Sequence, residues 1–558
     1  MSRALLPLIT ILLFMRADAQ SQEPRPTTLA GRSTVYAPRG AIATSQPLAS
    51  AAGLEVLQDG GNAIDAAVTA AAVLNVVEPH MTGIGGDMFA LVWWADEGRL
   101  IGLNASGRSG SLMTPEAVRQ RGLQSVPITG AEPITVPGAL SGWAALLERY
   151  GTLSLAEALA PAIRLAGEGF PVSPIIARQW AAETEKLKAD EGARVTFLLD
   201  GERAPQPGEW FRNPDLAATF SLIAQQGPGE LYGGDLGRRI VEHVRELGGF
   251  LTLEDLRSQR PLWVHPISVD FRGLRVWELP PNSQGVAALE MLRILEPYDL
   301  RAMGHNSADY LHHLIEAKKI AFSDLARWIG DPAYMSISTD ELLADRFIAQ
   351  RRRLIDPERA AEHVEPGAAA TSSETIYLSV ADARGNMVSF INSNYWEFGS
   401  GVVVPGTGFA LQNRGAGFTM EPALPNSVGP RKRPLHTIIP GFVTREGPAG
   451  EEEPVLSFGV MGGSMQPQGH VQLLLNLLVF DMDLQQAVDA PRFRHLDGRR
   501  VALEAPISDG VRSALAALGH EIVDEDSVAF GGAQVIMRLQ HGWAAASDPR
   551  KDGMAVGY

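Results

Sequence analysis

The stretch SSETIYLSVADARGNMVSFINS (372–393) decides the fold. From Thr375 the residues alternate: Ile376, Leu378 and Val380 are apolar, while Thr375, Tyr377 and Ser379 share the opposite face. DARGN then turns the chain. A three-residue loop Ala383-Arg384-Gly385, with the glycine left-handed, pairs Asp382 with Asn386. Carried back along the hairpin, that register sets Ser393 directly opposite Thr375, and a slip of one residue would undo the match.

The segment before the hairpin, IDPERAAEHVEPGAAATSSE (355–374), is polar, rich in Ala, Gly, Pro and Ser, and has no period. It predicts an exposed connector that runs straight into a strand. A threonine opening a strand is ordinarily no more than a β-former. Here the connector and the facing serine also suit a chain that cuts itself to make Thr375 a new N-terminus. A hydroxyl is a poor nucleophile without a base, and an N-terminal threonine carries one: its own α-amino group, with a reference pKa of about 7.7–8.0. Ser393 would orient that amine.

The 558 residues carry a net charge of −16, which disfavours nucleic acid or an anionic membrane as partner. With no cysteine, disulfides, thiolate catalysis and cysteine metal sites are excluded, and the twelve histidines show no zinc-ligand spacing. Neither a metal nor another cofactor is expected. The N-terminus has Arg3, an apolar run from Ala4 to Met15, then Ala17-Asp18-Ala19. This predicts a secretory signal over 1–19 and an exported or periplasmic protein; the alternative is an uncleaved anchor, for which the run is short against the ~20 residues that span a bilayer.

After a polar, Pro-rich lead-in (21–40), a first helix ends at Gly60-Gly61. Asn62 caps a second, Ala-rich and almost wholly apolar, which should be buried. Residues 112–350 are mostly helical in period. Strands dominate after the connector, at 375–381, 387–393, GVVVPGTGFAL (401–411), HTIIPGFVT (436–444) and PVLSFGV (454–460), with two short ones near the C-terminus. Helices first and strands later argue for α+β layers. In SFGVMGGSMQPQGH (457–470), a strand meets Gly462-Gly463-Ser464 and then a helix. Glycines there would let backbone N–H groups approach an oxyanion, although many strand-to-helix turns carry such a pair for structural reasons alone.

Several separated segments together resemble one family, the γ-glutamyltransferase (γ-glutamyltranspeptidase) superfamily of N-terminal-nucleophile hydrolases. They are LEVLQDGGNAIDAAVTAAAVLNVVEPHMTGIGGDMF, ITVPGAL, TIYLSVADARGNMVSF, FGSGVVVPGTGFALQNRGAGF, RKRPLH and GVMGGS, and the resemblance runs from about residue 35 to the end. It implies a four-layer αββα sandwich and a proenzyme cut between Glu374 and Thr375. The products would be a large subunit (20–374) and a small one (375–558), held together as a heterodimer. By position, Thr375 is the nucleophile, Ser393 supports its amine, and Gly462 and Gly463 form the oxyanion hole. His436 and Thr437 stand where transpeptidases have two serines.

The departures from the family matter as much. Where transpeptidases hold the glutamyl carboxylate with an arginine, this chain has Ser106, with Arg108 two residues on. Where they hold the amino group with a Gln and an Asp, it has Arg414 and Gly417, beside Asn413; Tyr395 replaces an asparagine. A site that has lost an acid and gained a cation favours an anionic group, unless Arg414 serves only a structural ion pair. The pattern resembles the branch of amidohydrolases and acylases that remove small acidic acyl groups. The expectation is a secreted, self-processed amidohydrolase with no stable membrane anchor, in which Asn413, Arg414, Tyr395, Arg108, His436 and Thr437 bind substrate. The rivals are a γ-glutamyl hydrolase or transpeptidase acting on glutathione, and an inactive periplasmic binding or scaffold protein.

Overall fold

The computed structural model describes residues 31–364 and 374–558. The expected signal (1–19) and the connector just ahead of Glu374 lie outside the described residues. Two seven-stranded sheets, antiparallel throughout, organise a mixed α/β fold. One orders Met554–Gly557, Ala41–Thr44, Glu374–Ala381, Met387–Tyr395, Asp87–Trp94, Arg99–Ala105 and Leu262–Val264. The other orders Val35–Ala37, Trp543–Ser547, Gly532–Arg538, Glu452–Met461, Gly441–Glu446, Leu274–Glu278 and Ile267–Phe271. Each sheet therefore mixes strands from before and after residue 374.

Three apolar clusters account for most of the burial. One joins Phe89, Leu91, Tyr377 and Ile391 of the first sheet to Phe442, Met461 and Ile536 of the second. Another sets the helix Ala63–Val77 and its neighbours against Ile376, Leu378, Val388 and Phe390. The third sets the helices Gly285–Leu295, Ala308–Trp328 and Met465–Leu478 against Val443, Phe458 and Val535. The alternation read from the hairpin is thus the division between two cores: even positions pack on helices, and Tyr377 packs between sheets.

Local signals act as expected in several places. Every residue of Ala63–Val77 is buried, and Asn62 caps it in a reciprocal pair with Asp65. Gly385 has φ +90. The Asp382 side chain accepts from the N–H groups of Arg384 and Asn386, and from that of Ala63, which ties the hairpin tip to the start of the buried helix.

Other expectations change. The lead-in contains the strand Val35–Ala37, and Ala41–Thr44 follows it; both complete the sheets. The mostly helical 112–350 contributes three sheet strands between 262 and 278. Residues 401–411 form no named strand, only a Val403–Ala410 bridge. Pro405 offers no N–H, and Gly406 and Gly408 take positive φ, so the ladder cannot propagate there. Among the described residues no helix is long and apolar enough to cross a membrane.

Candidate active site

The nucleophile strand Glu374–Ala381 pairs with Met387–Tyr395 in the expected register from Ile376 to Ala381, but shifts by one at its start, where Glu374 meets Tyr395. Thr375 therefore sits on an irregularity rather than in a regular pair. The side chains meet nevertheless: Thr375 Oγ1 donates to Ser393 Oγ at 3.1 Å, and both residues are buried. Ser393 Oγ also accepts the Tyr395 N–H at 2.8 Å. Gly86 supports this corner by close approach, since a Cβ there would lie 2.3 Å from the Ser393 carbonyl oxygen.

Below Thr375 on the same face, the Tyr377 hydroxyl bonds Ser379 at 2.9 Å and Ser389 at 2.7 Å, and Ser379 bonds Ser457 of the facing sheet at 3.0 Å. Burial pushes the Tyr377 phenol upward, so it stays neutral. This polar row between two apolar sheets is satisfied from within, which pins the strand that carries Thr375.

The facing sheet ends at Met461 in the Gly462-Gly463 turn, with φ +120 and +57, before the helix Met465–Leu478. Among the described residues, neither glycine N–H has a partner. Gln284 braces the turn: its Nε2 donates to the Gly463 carbonyl at 2.8 Å and to the Thr437 carbonyl at 2.5 Å. Sequence reasoning missed Gln284. Its signal was the PPNSQG break ahead of a helix, which looks like any turn.

Arg414 is wholly buried. Its Nη1 donates to Thr437 Oγ1 at 3.0 Å, and its guanidinium lies 4.4 Å from the centre of the Tyr395 ring. Nε and Nη2 have no partner among the described residues. Burial pushes the guanidinium down to about 10, with Asp87 and Tyr395 opposing. Tyr395 holds its ring there at φ +83, a backbone state rare for a residue with a side chain. Gly417, where the family has an acid, brings no carboxylate to the arginine.

Asp87 has its oxygens in use elsewhere. Oδ1 accepts from the N–H groups of Gly107 and Gly138, both at 2.9 Å, and Oδ2 lies 2.7 Å from His436 Nε2. Burial, then Arg414, push His436 below its ordinary range. Its Nδ1 lies 2.8 Å from the Pro434 carbonyl oxygen and 3.0 Å from Asn282 Nδ2. Asn282 also bonds Asn104, which in turn holds Ser106. Asp87, Asn282 and Asn104 were not singled out in the sequence. Asp87 and His436 are 349 positions apart, and nothing local announces their pairing.

The remaining expected binding residues divide. Thr437 and Tyr395 touch Arg414, and His436 lies next to Thr437. Asn413 is a brace, accepting from the Trp396 N–H at 3.2 Å and donating to the Ile128 carbonyl at 2.7 Å. Arg108 is not brought to this group. It is partly exposed, pairs with Asp331 at 3.2 Å and donates to the Arg431 carbonyl at 2.8 Å.

Only one cluster among the described residues has metal-ligand types, His312, Glu316 and His520. It fits a cation poorly. His312 and His520 bond each other at 2.8 Å, and Glu316 pairs with the Lys319 ammonium at 2.7 Å.

Against known proteins, the family model described as Gamma-glutamyltranspeptidase matches residues 49–558. A glutathione hydrolase-like YwrD proenzyme of Bacillus subtilis (strain 168) is 39% identical over 521 residues, covering 91% of this chain and 97% of its own. The oxamate amidohydrolase proenzyme of Klebsiella pneumoniae is 35% identical over 527 residues, covering 92% and 97%. Among solved structures, a cephalosporin acylase from Bacillus halodurans superposes with a TM-score of 0.89 at 44% identity, over 97% of this chain and 99% of that one. The chain belongs to the γ-glutamyltranspeptidase family. It is an enzyme of the N-terminal-nucleophile hydrolase type.

Proposed function

We propose that this enzyme is a secreted, self-processing amidohydrolase that removes a small acidic acyl group, working through Thr375 as its N-terminal nucleophile. The layers we assign are helix, sheet, sheet, helix, in keeping with the three apolar clusters. In the precursor, Thr375 Oγ1 attacks the Glu374 carbonyl carbon. The acyl group shifts from nitrogen to oxygen, and water hydrolyses the ester, leaving a carboxyl on Glu374 and a free amine on Thr375. Fragments 20–374 and 375–558 stay together because both large sheets draw strands from each side of the cut.

In turnover the α-amine accepts the Thr375 hydroxyl proton as Oγ1 attacks the substrate carbonyl, then returns it to the leaving amine. Gly462 and Gly463 N–H groups stabilise the oxyanion. Water releases the acid from the Thr375 ester. Arg414 receives the acyl carboxylate through Nε and Nη2. The observation that carries the acidic substrate is this buried arginine, which among the described residues has two partnerless nitrogens and no carboxylate of its own.

The name of the Bacillus subtilis relative favours a second reading, hydrolysis of glutathione. Parallel assays of the processed enzyme on glutathione, with and without glycylglycine, and on a panel of amides with acidic or neutral acyl groups separate the two. The acidic amides should turn over fastest. Preference for glutathione, or for neutral acyl groups, would overturn the proposal.

A further inference from the structure

Two adjacent lysines on the helix Ala308–Trp328 border a cleft of about 410 Å³ that shares no residue with the group around Thr375. Phe322, His363, His495 and Gly498 also line it. Lys319 is neutralised, with its ammonium donating to Glu316 Oε1 and to the Ala361 carbonyl, both at 2.7 Å. Lys318 is buried and has no carboxylate partner among the described residues. Its Nζ lies 2.9 Å from His495 Nδ1, 3.4 Å from the Leu496 carbonyl oxygen and 4.0 Å from the centre of the Phe322 ring.

The histidine is set as a proton acceptor. His495 Nε2 lies 3.0 Å from the Gly498 carbonyl oxygen, which can only accept; the ring proton is therefore on Nε2, and the Nδ1 lone pair faces Lys318. Gln468 fixes the backbone of His495, accepting its N–H at 2.8 Å and donating to its carbonyl at 3.2 Å. The acids of the cleft are engaged elsewhere, Glu362 with Arg499 and Asp497 with Arg500. Burial, then Arg494 and Lys319, bring the Lys318 amine down to about 7, with Asp497 opposing. Burial, then Lys318, keep His495 well below its ordinary range. A desolvated amine beside another cation, hydrogen-bonded to a base that a third group orients, is the arrangement of an activated lysine nucleophile.

We propose that Lys318 is a reactive amine that captures small anionic carbonyl compounds as a Schiff base, a second covalent site independent of Thr375. The neutral Nζ attacks the carbonyl carbon, forming a C–N bond as the carbon–oxygen π bond breaks. One Nζ proton passes through His495 Nδ1 to the new alkoxide. The second leaves with that hydroxyl as water, giving the imine; no oxidant or reductant is required. Arg494, whose carboxylate neighbour Glu525 stands 3.9 Å away, supplies the positive field that favours an anionic carbonyl over a neutral one.

The test uses the whole protein with glyoxylate as probe and cyanoborohydride to fix the imine, followed by peptide mass spectrometry. The other lysines, Lys186, Lys188, Lys319, Lys432 and Lys551, are internal comparisons. At neutral pH Lys318 should be modified roughly tenfold or more faster than any of them, because ordinary lysines are almost fully protonated there. His495→Gln should slow that labelling several-fold and leave amide hydrolysis by the unlabelled enzyme unchanged. Labelling that merely follows exposure, with Lys318 slow or unmodified, would overturn the proposal, as would a rate indifferent to His495→Gln.

Discussion

Arg414 and Arg492 are both buried, yet their surroundings are opposites. Arg492 donates to Asp548 Oδ2 at 2.7 Å and to the carbonyls of Phe530 and Val488 at 2.9 and 3.1 Å. Arg550 joins the same knot through Asp548 and Glu504. Arg414 has one hydroxyl, an aromatic face and two nitrogens with no partner among the described residues. A guanidinium that serves the fold is surrounded by acceptors, because an unpaired buried charge is costly. One left open stores that cost until a ligand arrives. The contrast separates an arginine that holds the protein together from one that waits for substrate.

The largest effect should come from the closed knot. Asp548→Ala would leave Arg492 and Arg550 facing each other, and breaking a buried pair costs about 3–5 kcal/mol. Denaturant unfolding should show a matching loss of stability. The pH dependence has a definite sign. Burial alone would raise the Asp548 carboxyl, but Arg492 and Arg550 bring it down to about 2. Its contribution is therefore present above the unfolded value of about 3.9 and is lost as pH falls from there through about 2. Asp548→Asn should flatten acid destabilisation across that window.

Arg414→Ala should behave in the opposite way. Hydrogen bonds to a charged group are worth about 1.5–3 kcal/mol, so kcat/KM on acidic acyl amides should fall roughly ten- to more than a hundredfold. Neutral acyl amides should lose much less, stability should hold or rise, and self-cleavage should survive. Arg414→Lys should recover only part, since an ammonium lacks the planar fork. Equal losses on both substrate classes, or a stability loss like that of Asp548→Ala, would make Arg414 a second structural arginine.

Tyr395→Leu should give the smallest effect. Removing the ring under this buried guanidinium forfeits about 0.5–2 kcal/mol, a few-fold to roughly thirtyfold in kcat/KM on acidic substrates, measured by steady-state kinetics. An undiminished rate would mean that the ring does not position Arg414.

Much of this site is legible in the sequence, and the part that is not has a physical cause. The alternation after Thr375, the left-handed Gly385 and the cap at Asn62 are local, and the fold keeps them. The register from Ile376 onward follows from the turn alone. The shift at Thr375 does not, because it arises where the strand enters the site and Tyr395 adopts positive φ. Arg414 could be marked as an unusual cation, but its openness could not. That depends on Asp87 being occupied by Gly107, Gly138 and His436, partners brought together only by the tertiary fold. The strands at 35–44 were hidden for the same reason, since their partners lie hundreds of residues away; at 262–278, Ile267–Phe271 and Leu274–Glu278 form a local hairpin that the helical period of the surrounding chain masked.

The claim on which the rest depends is that Thr375 becomes an N-terminus by its own action. Intact-mass measurement with N-terminal sequencing of the purified protein tests it most directly. Self-cleavage should give a C-terminal fragment of 558 − 374 = 184 residues beginning TIYLSV, formed by the wild type and by Thr375→Ser, with Thr375→Ala remaining a single chain. A cut at any other bond, or a Thr375→Ala chain that is cleaved like the wild type, would contradict it.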